Sequence, residues 1–252
     1  MPTYQSARSD ASRLSVLDTT ASVAPGDIAD SKPSITQNTL TKVVAFIAIF
    51  RPLYNALSGA LTGRMKEVRE REAARLLLDT YVRDFWEVLK RRAHRLEQPA
   101  EVLGYYGLPS DGTIPVISNF DQLLGFADNI VKGDADAVNA GYPPMANPSA
   151  AEIVPILADA RAQAADIPPA DRNYDDAQAA VQAQRPAADL LIEDIHGDLV
   201  SSLRRDDAPS QRRVMRSYGL VFVPLRGELP DPEPGGSATG SATSGTTPPP
   251  SA

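Results

Sequence analysis

Two segments of the chain match each other, and this internal match constrains the fold more than any other feature. Residues 73–91 align without gaps with residues 187–205, and seven of the nineteen positions are identical. After a two-residue shift, Tyr106-Gly107-Leu108 aligns with Tyr218-Gly219-Leu220. A long helix, a short helix and the same closing tripeptide recur in one order, which predicts an internal duplication.

Apolar side chains recur at spacings of three and four in both matched segments, as on one face of an α-helix. The two stripes consist of Leu78, Tyr81, Phe85 and Leu89, and of Ile192, Ile195, Leu199 and Leu203. Equivalent stripes predict that both helices face a shared core, related by a pseudo-twofold axis. We therefore predict an all-α fold of roughly four long helices, arranged as two duplicated helical hairpins over residues 35–116 and 117–227.

Prolines and capping residues set the expected helix ends. Pro52 is expected to kink or split a first helical stretch that begins near Thr36, because proline removes a backbone donor. Pro168 and Pro169 predict a break in the chain, and Gly107 is expected to cap a short helical turn after Pro99. The remaining helices are expected over residues 63–96, 119–140, 149–165, 171–205 and 208–217.

The ends of the chain differ from its middle. Residues 1–34 are rich in Ser, Thr, Ala and Asp without a sustained period, and they predict a flexible N-terminal arm. Residues 228–252 form a tail rich in Pro, Gly, Ser and Thr that is expected to be disordered. Two short extended pieces, residues 113–116 and 221–224, could pair as a small two-stranded element. Each contains a proline, which would confine it to an edge.

Composition and charge exclude several classes of function. The chain has no cysteine, which rules out disulfides, thiol nucleophiles and cysteine-based zinc sites. Its formal charge is −7, and its most basic stretch alternates Arg and Lys with Glu67, Glu70 and Glu72. That alternation is typical of a solvated helix with ion pairs along its face. We therefore expect no nucleic-acid partner.

The apolar run over residues 43–50 is the strongest hydrophobic signal. It is too short to span a membrane, which takes about twenty apolar residues, and it stops at Arg51 and Pro52. A buried helical segment is the expected structure, and peripheral membrane binding through residues 43–50 is a further hypothesis. The N-terminus lacks the basic and apolar regions of a signal peptide, so a cytoplasmic location is expected by default.

The polar residues contain no complete catalytic constellation. Glu193, Asp194 and His196 lie within one helical turn and could seed a metal site, since carboxylate bundles use Glu-x-x-His pairs from two helices. The matched segment lacks the second histidine. No nucleophile elbow and no phosphate-binding loop is present. We therefore expect no catalytic residue and no cofactor.

The segment after the first Tyr-Gly-Leu carries a resemblance. Residues 106–115, Tyr-Gly-Leu-Pro-Ser-Asp-Gly-Thr-Ile-Pro, and residues 216–220, Arg-Ser-Tyr-Gly-Leu, resemble motifs of a group of uncharacterised bacterial helical proteins. In that group the hairpin ends in Leu-Gly-Leu-Pro, so Tyr106 is a departure, as is Ile114 in place of threonine. The resemblance covers about residues 100–225 and implies an α-helical bundle whose function is unknown.

These observations favour a non-enzymatic structural or protein-interaction bundle. Such a protein would bind other protein subunits or copies of itself through its surface or its terminal arms. The alternative is a metal-binding or enzymatic helical bundle centred on Glu193, Asp194 and His196.

Overall fold

The computed structural model describes residues 3–223 and confirms an all-α fold with one short β-pair. In chain order the elements are β1 (Thr3–Gln5), α1 (Asp10–Ala29), α2 (Gln37–Arg95), α3 (Glu101–Tyr105), α4 (Phe120–Asn139), α5 (Ala150–Ser202), α6 (Ala208–Ser217) and β2 (Val221–Val223). Two helices are much longer than predicted, and two others have 20 residues each. The predicted C-terminal tail, residues 228–252, lies outside the described residues.

The predicted flexible arm over residues 1–34 is wrong for its larger part, because residues 10–29 form α1. Ser9 begins this helix with reciprocal caps: its side chain accepts from the Ser12 backbone N–H, and its own N–H donates to the Ser12 hydroxyl. Leu17 and Ala24 on its inner face are fully buried. The low hydrophobicity of this segment hid a narrow but sufficient apolar stripe.

Both long helices continue through their prolines. Helix α2 runs past Pro52, and α5 runs past Pro168 and Pro169, so the predicted split and break are wrong. Half-buried positions keep a helical spacing through the double proline of α5. Across this stretch Arg64 of α2 donates to Asp171 of α5. Packing between neighbouring helices therefore offsets the cost of about 3 kcal/mol for an interior proline.

The chain forms two compact units that differ from the predicted halves, residues 35–116 and 117–227. One, the continuous unit, comprises residues 52–183, and the other, the split unit, comprises residues 3–51 and 184–223. Because α2 and α5 are uninterrupted, each unit contains the start of one long helix and the end of the other. Neither predicted half is therefore a compact unit by itself.

Each unit has its own hydrophobic core. In the continuous unit, Leu78, Phe85 and Leu89 pack with Trp86 and with residues of α3, α4 and α5. In the split unit, Ile192, Ile195, Leu199 and Leu203 pack with residues of α1, α2 and α6. The matched stripes thus belong to different cores, so the prediction of a shared core is wrong.

The closing Tyr-Gly-Leu elements adopt the same local structure in both units. Gly107 and Gly219 have positive φ angles of 76° and 86°, the left-handed conformation that glycine adopts without strain. Leu108 N–H donates to the Leu103 carbonyl, as Leu220 N–H donates to Met215. Gly107 therefore caps the short helical turn as predicted.

Helix α1 of the split unit and helix α4 of the continuous unit also correspond. Helices α1 and α4 both have 20 residues. At their ends the Lys32 backbone N–H donates to the Asp27 carbonyl, and the Tyr142 backbone N–H donates to the Ala137 carbonyl. Arg51 of α2 pairs with Asp18 of α1, and at positions 110 residues later Arg161 of α5 pairs with Asp128 of α4. The duplication stays a prediction. These correspondences support it and extend it to residues that the sequence alignment left out.

The β-pair joins a predicted strand to a different partner from the one that we predicted. Strand β1 is antiparallel to β2, with Thr3 opposite Val223 and Gln5 opposite Val221. Residues 221–223 are therefore a strand as predicted, but residues 113–116 are not. The prediction failed because residues 3–5 were assigned to the flexible arm.

Candidate interaction surface

One face of α2 is apolar and exposed in the split unit. Val44, Ala45, Ala48 and Ile49 form this face, which we call the α2 face, and Val44 and Ile49 retain 53% and 54% of their accessible surface. Val43 and the other residues of the core lie on the opposite side of the helix. The predicted buried segment over residues 43–50 is thus only partly buried, because it is apolar all round.

Helix α2 as a whole is also more apolar than its burial requires. Among residues 3–223, α2 alone is long and apolar enough to cross a membrane, by length and composition only. Its most apolar 18-residue window has a mean hydropathy of 1.4, yet only 17% of that window is buried. A core helix of this hydropathy would be mostly buried, so α2 leaves an apolar face without a described partner.

Ion pairs neutralise the charges closest to the α2 face. Lys42 lies 3.6 Å from Asp194 of α5, and Arg51 donates to Asp18 of α1 at 2.5 Å. Each cation is therefore matched by a carboxylate. A surface that binds anionic lipid presents unpaired Lys and Arg around its apolar face, whereas a protein interface has an apolar centre with a mixed polar rim.

The fold does not require an apolar residue at position 49 of the α2 face. Counting by the same 110-residue interval, buried Val43 corresponds to buried Ile153 of α5, and exposed Ile49 corresponds to exposed Asp159. The continuous unit thus places a charge where the split unit exposes an isoleucine. Core packing gives no reason for an isoleucine at position 49.

The predicted metal ligands are not brought together. Asp194 pairs with Lys42, Glu193 is exposed, and the imidazole of His196 stacks on the ring of Tyr4 with centroids 4.4 Å apart. Burial lowers the pKa of His196 below its ordinary value. Within residues 3–223 no three His, Asp or Glu side chains are grouped to hold a metal ion. The metal-binding alternative therefore has no geometric support.

The uniformly apolar run over residues 43–50 indicates the α2 face, but its periodicity does not show which side of the helix is exposed. A helix buried on one side alternates apolar and polar positions, whereas residues 43–50 are apolar at every position. Such a run is equally typical of a fully buried helix, and only the packing of α1 and α5 decides which side stays open. Tyr4, which packs on His196, was missed for the same reason as α1.

No family model, no curated protein and no solved structure matches this chain. The resemblance of residues 100–225 to uncharacterised bacterial helical proteins stays a prediction.

Proposed function

We propose that this protein is a non-enzymatic interaction bundle that binds a second copy of itself through the α2 face. The supporting observation is the exposure of Val44 and Ile49 in a fold that accepts Asp159 at the position equivalent to Ile49. Covering the exposed surface of these two side chains would contribute roughly 1 kcal/mol each. An exposed isoleucine at a position where the fold accepts a charge is best explained by a partner that covers it.

The shape of the α2 face suits another helix. Ala45 and Ala48 lie between the two larger side chains, and small residues let helix backbones approach closely. A symmetric dimer needs one self-complementary surface, which a helix with an apolar stripe provides. The paired charges of Lys42 and Arg51 leave no excess charge beside the stripe to repel a second copy.

Light scattering after size-exclusion chromatography tests the proposal over a range of concentrations. We expect the wild-type chain to form a dimer or larger assembly and Ile49→Asp to shift it to a monomer with unchanged circular dichroism. Val154→Asp is the matched control, because Val154 is exposed at the equivalent of Val44. This control should keep the wild-type mass.

Two outcomes would overturn the proposal. One is a wild-type monomer at about 100 μM, a concentration at which a dimer with a Kd of about 1 μM would be mostly formed. The other is an assembly that Ile49→Asp and Val154→Asp leave equally intact. Flotation of the wild type with lipid vesicles, lost in Ile49→Asp, would instead assign the α2 face to a membrane surface.

A further inference from the structure

A cavity of about 300 Å³ lies in the split unit, and none of the residues that line it belongs to α2. Its walls come from residues 4–9, the first turns of α1 and residues 219–221. Ala7 and the exposed Val221 supply apolar surface, with the buried Val16 and Leu220 behind them, and Ser15 and Arg8 supply polar groups. Ligand sites combine these features: an apolar concavity with a few polar groups that fix orientation.

The corresponding space in the continuous unit is occupied by larger side chains. Ser9 and Asn119 cap α1 and α4, so positions 110 residues apart correspond. At this interval Ile117 stands in place of Ala7, and Phe126 stands in place of Val16. Both larger residues pack against the core of the continuous unit, and the Phe126 ring meets Trp86 edge-on at 5.1 Å.

The cavity therefore has a definite origin in the sequence. The same backbone arrangement can be filled, as Ile117 and Phe126 demonstrate, but the split unit carries Ala7 and Val16 instead. Gly219 keeps the floor of the cavity close to α1, since a Cβ at this position would lie 3.2 Å from the Val16 Cα. The split unit thus has smaller side chains than the continuous unit at two positions, while the surrounding backbone stays tightly packed.

Arg8 is the charged residue among those that line the cavity. Its side chain has no hydrogen-bond or ion-pair partner within residues 3–223. By contrast, nearby Arg13 is held by Asp10 and by both carboxylate oxygens of Asp189, at 2.7 and 3.0 Å. Asp10 also accepts from Arg185. Asp10 and Asp189 are thus engaged with other cations. Glu193 lines an adjacent pocket together with Arg8, but no ion pair joins the two side chains. The Arg8 guanidinium can therefore bind an anion that enters the cavity.

We propose that this cavity binds a small amphipathic anion, with an apolar body of about ten heavy atoms and one carboxylate or phosphate group. The apolar body would lie against Ala7 and Val221, and the anionic group would accept hydrogen bonds from the Arg8 guanidinium. The proposal rests on the cavity alone and stands independently of the α2 face.

Isothermal titration calorimetry of the full chain with octanoate and octyl phosphate tests the proposal. Saturable binding of either probe at one site per chain is expected, and Arg8→Gln should weaken it by about tenfold, the loss of one charge-assisted contact. Arg205→Gln, a change at another exposed arginine of the split unit, should leave the affinity unchanged. Octylammonium, with the opposite charge, should not bind.

Ala7→Ile is the decisive variant, because it copies the residue of the continuous unit. It should abolish probe binding and raise the melting temperature by filling the cavity, so lost binding cannot be attributed to unfolding. The proposal would be overturned by absence of saturable binding to the wild type. It would equally be overturned if Ala7→Ile and Arg8→Gln both bound the probes as tightly as the wild type does.

Discussion

Each unit has a buried tyrosine in its Tyr-Gly-Leu element, and the hydroxyl of this tyrosine donates a hydrogen bond to a carboxylate. Tyr106 donates to Asp134 at 3.0 Å, and Tyr218 donates to Asp27 at 2.9 Å beside the Ser34 hydroxyl. We expect Tyr218→Phe to lower the free energy of unfolding by about 1–2 kcal/mol, because it leaves a carboxylate without its donor. Urea denaturation measures this loss, and Tyr105→Phe, at a more exposed tyrosine, should change stability by less than about 0.5 kcal/mol.

The pH dependence of stability tests the role of the Tyr218 hydroxyl in a second way. Burial, supported by the Asp27 carboxylate, raises the pKa of Tyr218 to about 12. Above its ordinary value of 10.0 the tyrosine ionises in the unfolded chain but stays neutral in the folded one. Its contribution to stability is thus complete below that pH and is lost as pH rises toward the folded value. Wild-type stability should therefore fall more steeply than that of Tyr218→Phe; parallel curves would contradict the argument.

At the scale of elements, replacing the double proline of α5 should change stability in opposite directions for a continuous helix and for a broken one. Pro168 and Pro169 lack the N–H groups that would donate to the carbonyls of residues 164 and 165 in a continuous helix. Replacing both by alanine should raise the free energy of unfolding by roughly 1–3 kcal/mol per proline. If the chain were broken here, the same change would destabilise by about 0.4–1 kcal/mol per proline, because prolines in a loop restrict the unfolded chain. Thermal and urea unfolding of the double variant distinguish the two cases.

The elements that the sequence predicted well are those with local signals at their ends. Asn119 and Asp207 each cap a helix through a side chain that accepts a backbone N–H three residues later, and both starts were predicted correctly. The proline break failed because packing between α2 and α5 decides whether the helix continues. The exposure of Ile49 could not be predicted either, since a uniformly apolar run has no preferred inner side. Propensity identifies helices, whereas tertiary contacts decide their length and their exposed face.

At the scale of the whole molecule, each of the two long helices contributes one end to each compact unit. Residues before the turn at Gly112 supply α1, α2 and α3, and residues after it supply α4, α5 and α6. Each unit needs segments from both sides of this turn: Leu17 and Leu199 share one core, and Phe85 and Ile130 share the other. A tandem duplication would then give two repeats that each complete a core only with segments of the other.

This arrangement predicts that two fragments cut between Asp111 and Gly112 will complement each other. Each fragment alone lacks half of both cores, so it should show reduced helicity and no cooperative unfolding. Mixing should produce a one-to-one complex with the circular dichroism and melting behaviour of the intact chain, measured together with its mass by light scattering. A control cut between Ile130 and Val131 should give no such recovery, because it divides α4 beside a fully buried side chain. If each Gly112 fragment instead melted cooperatively as a monomer, the two sides of the turn would be independent domains, and the shared cores would be refuted.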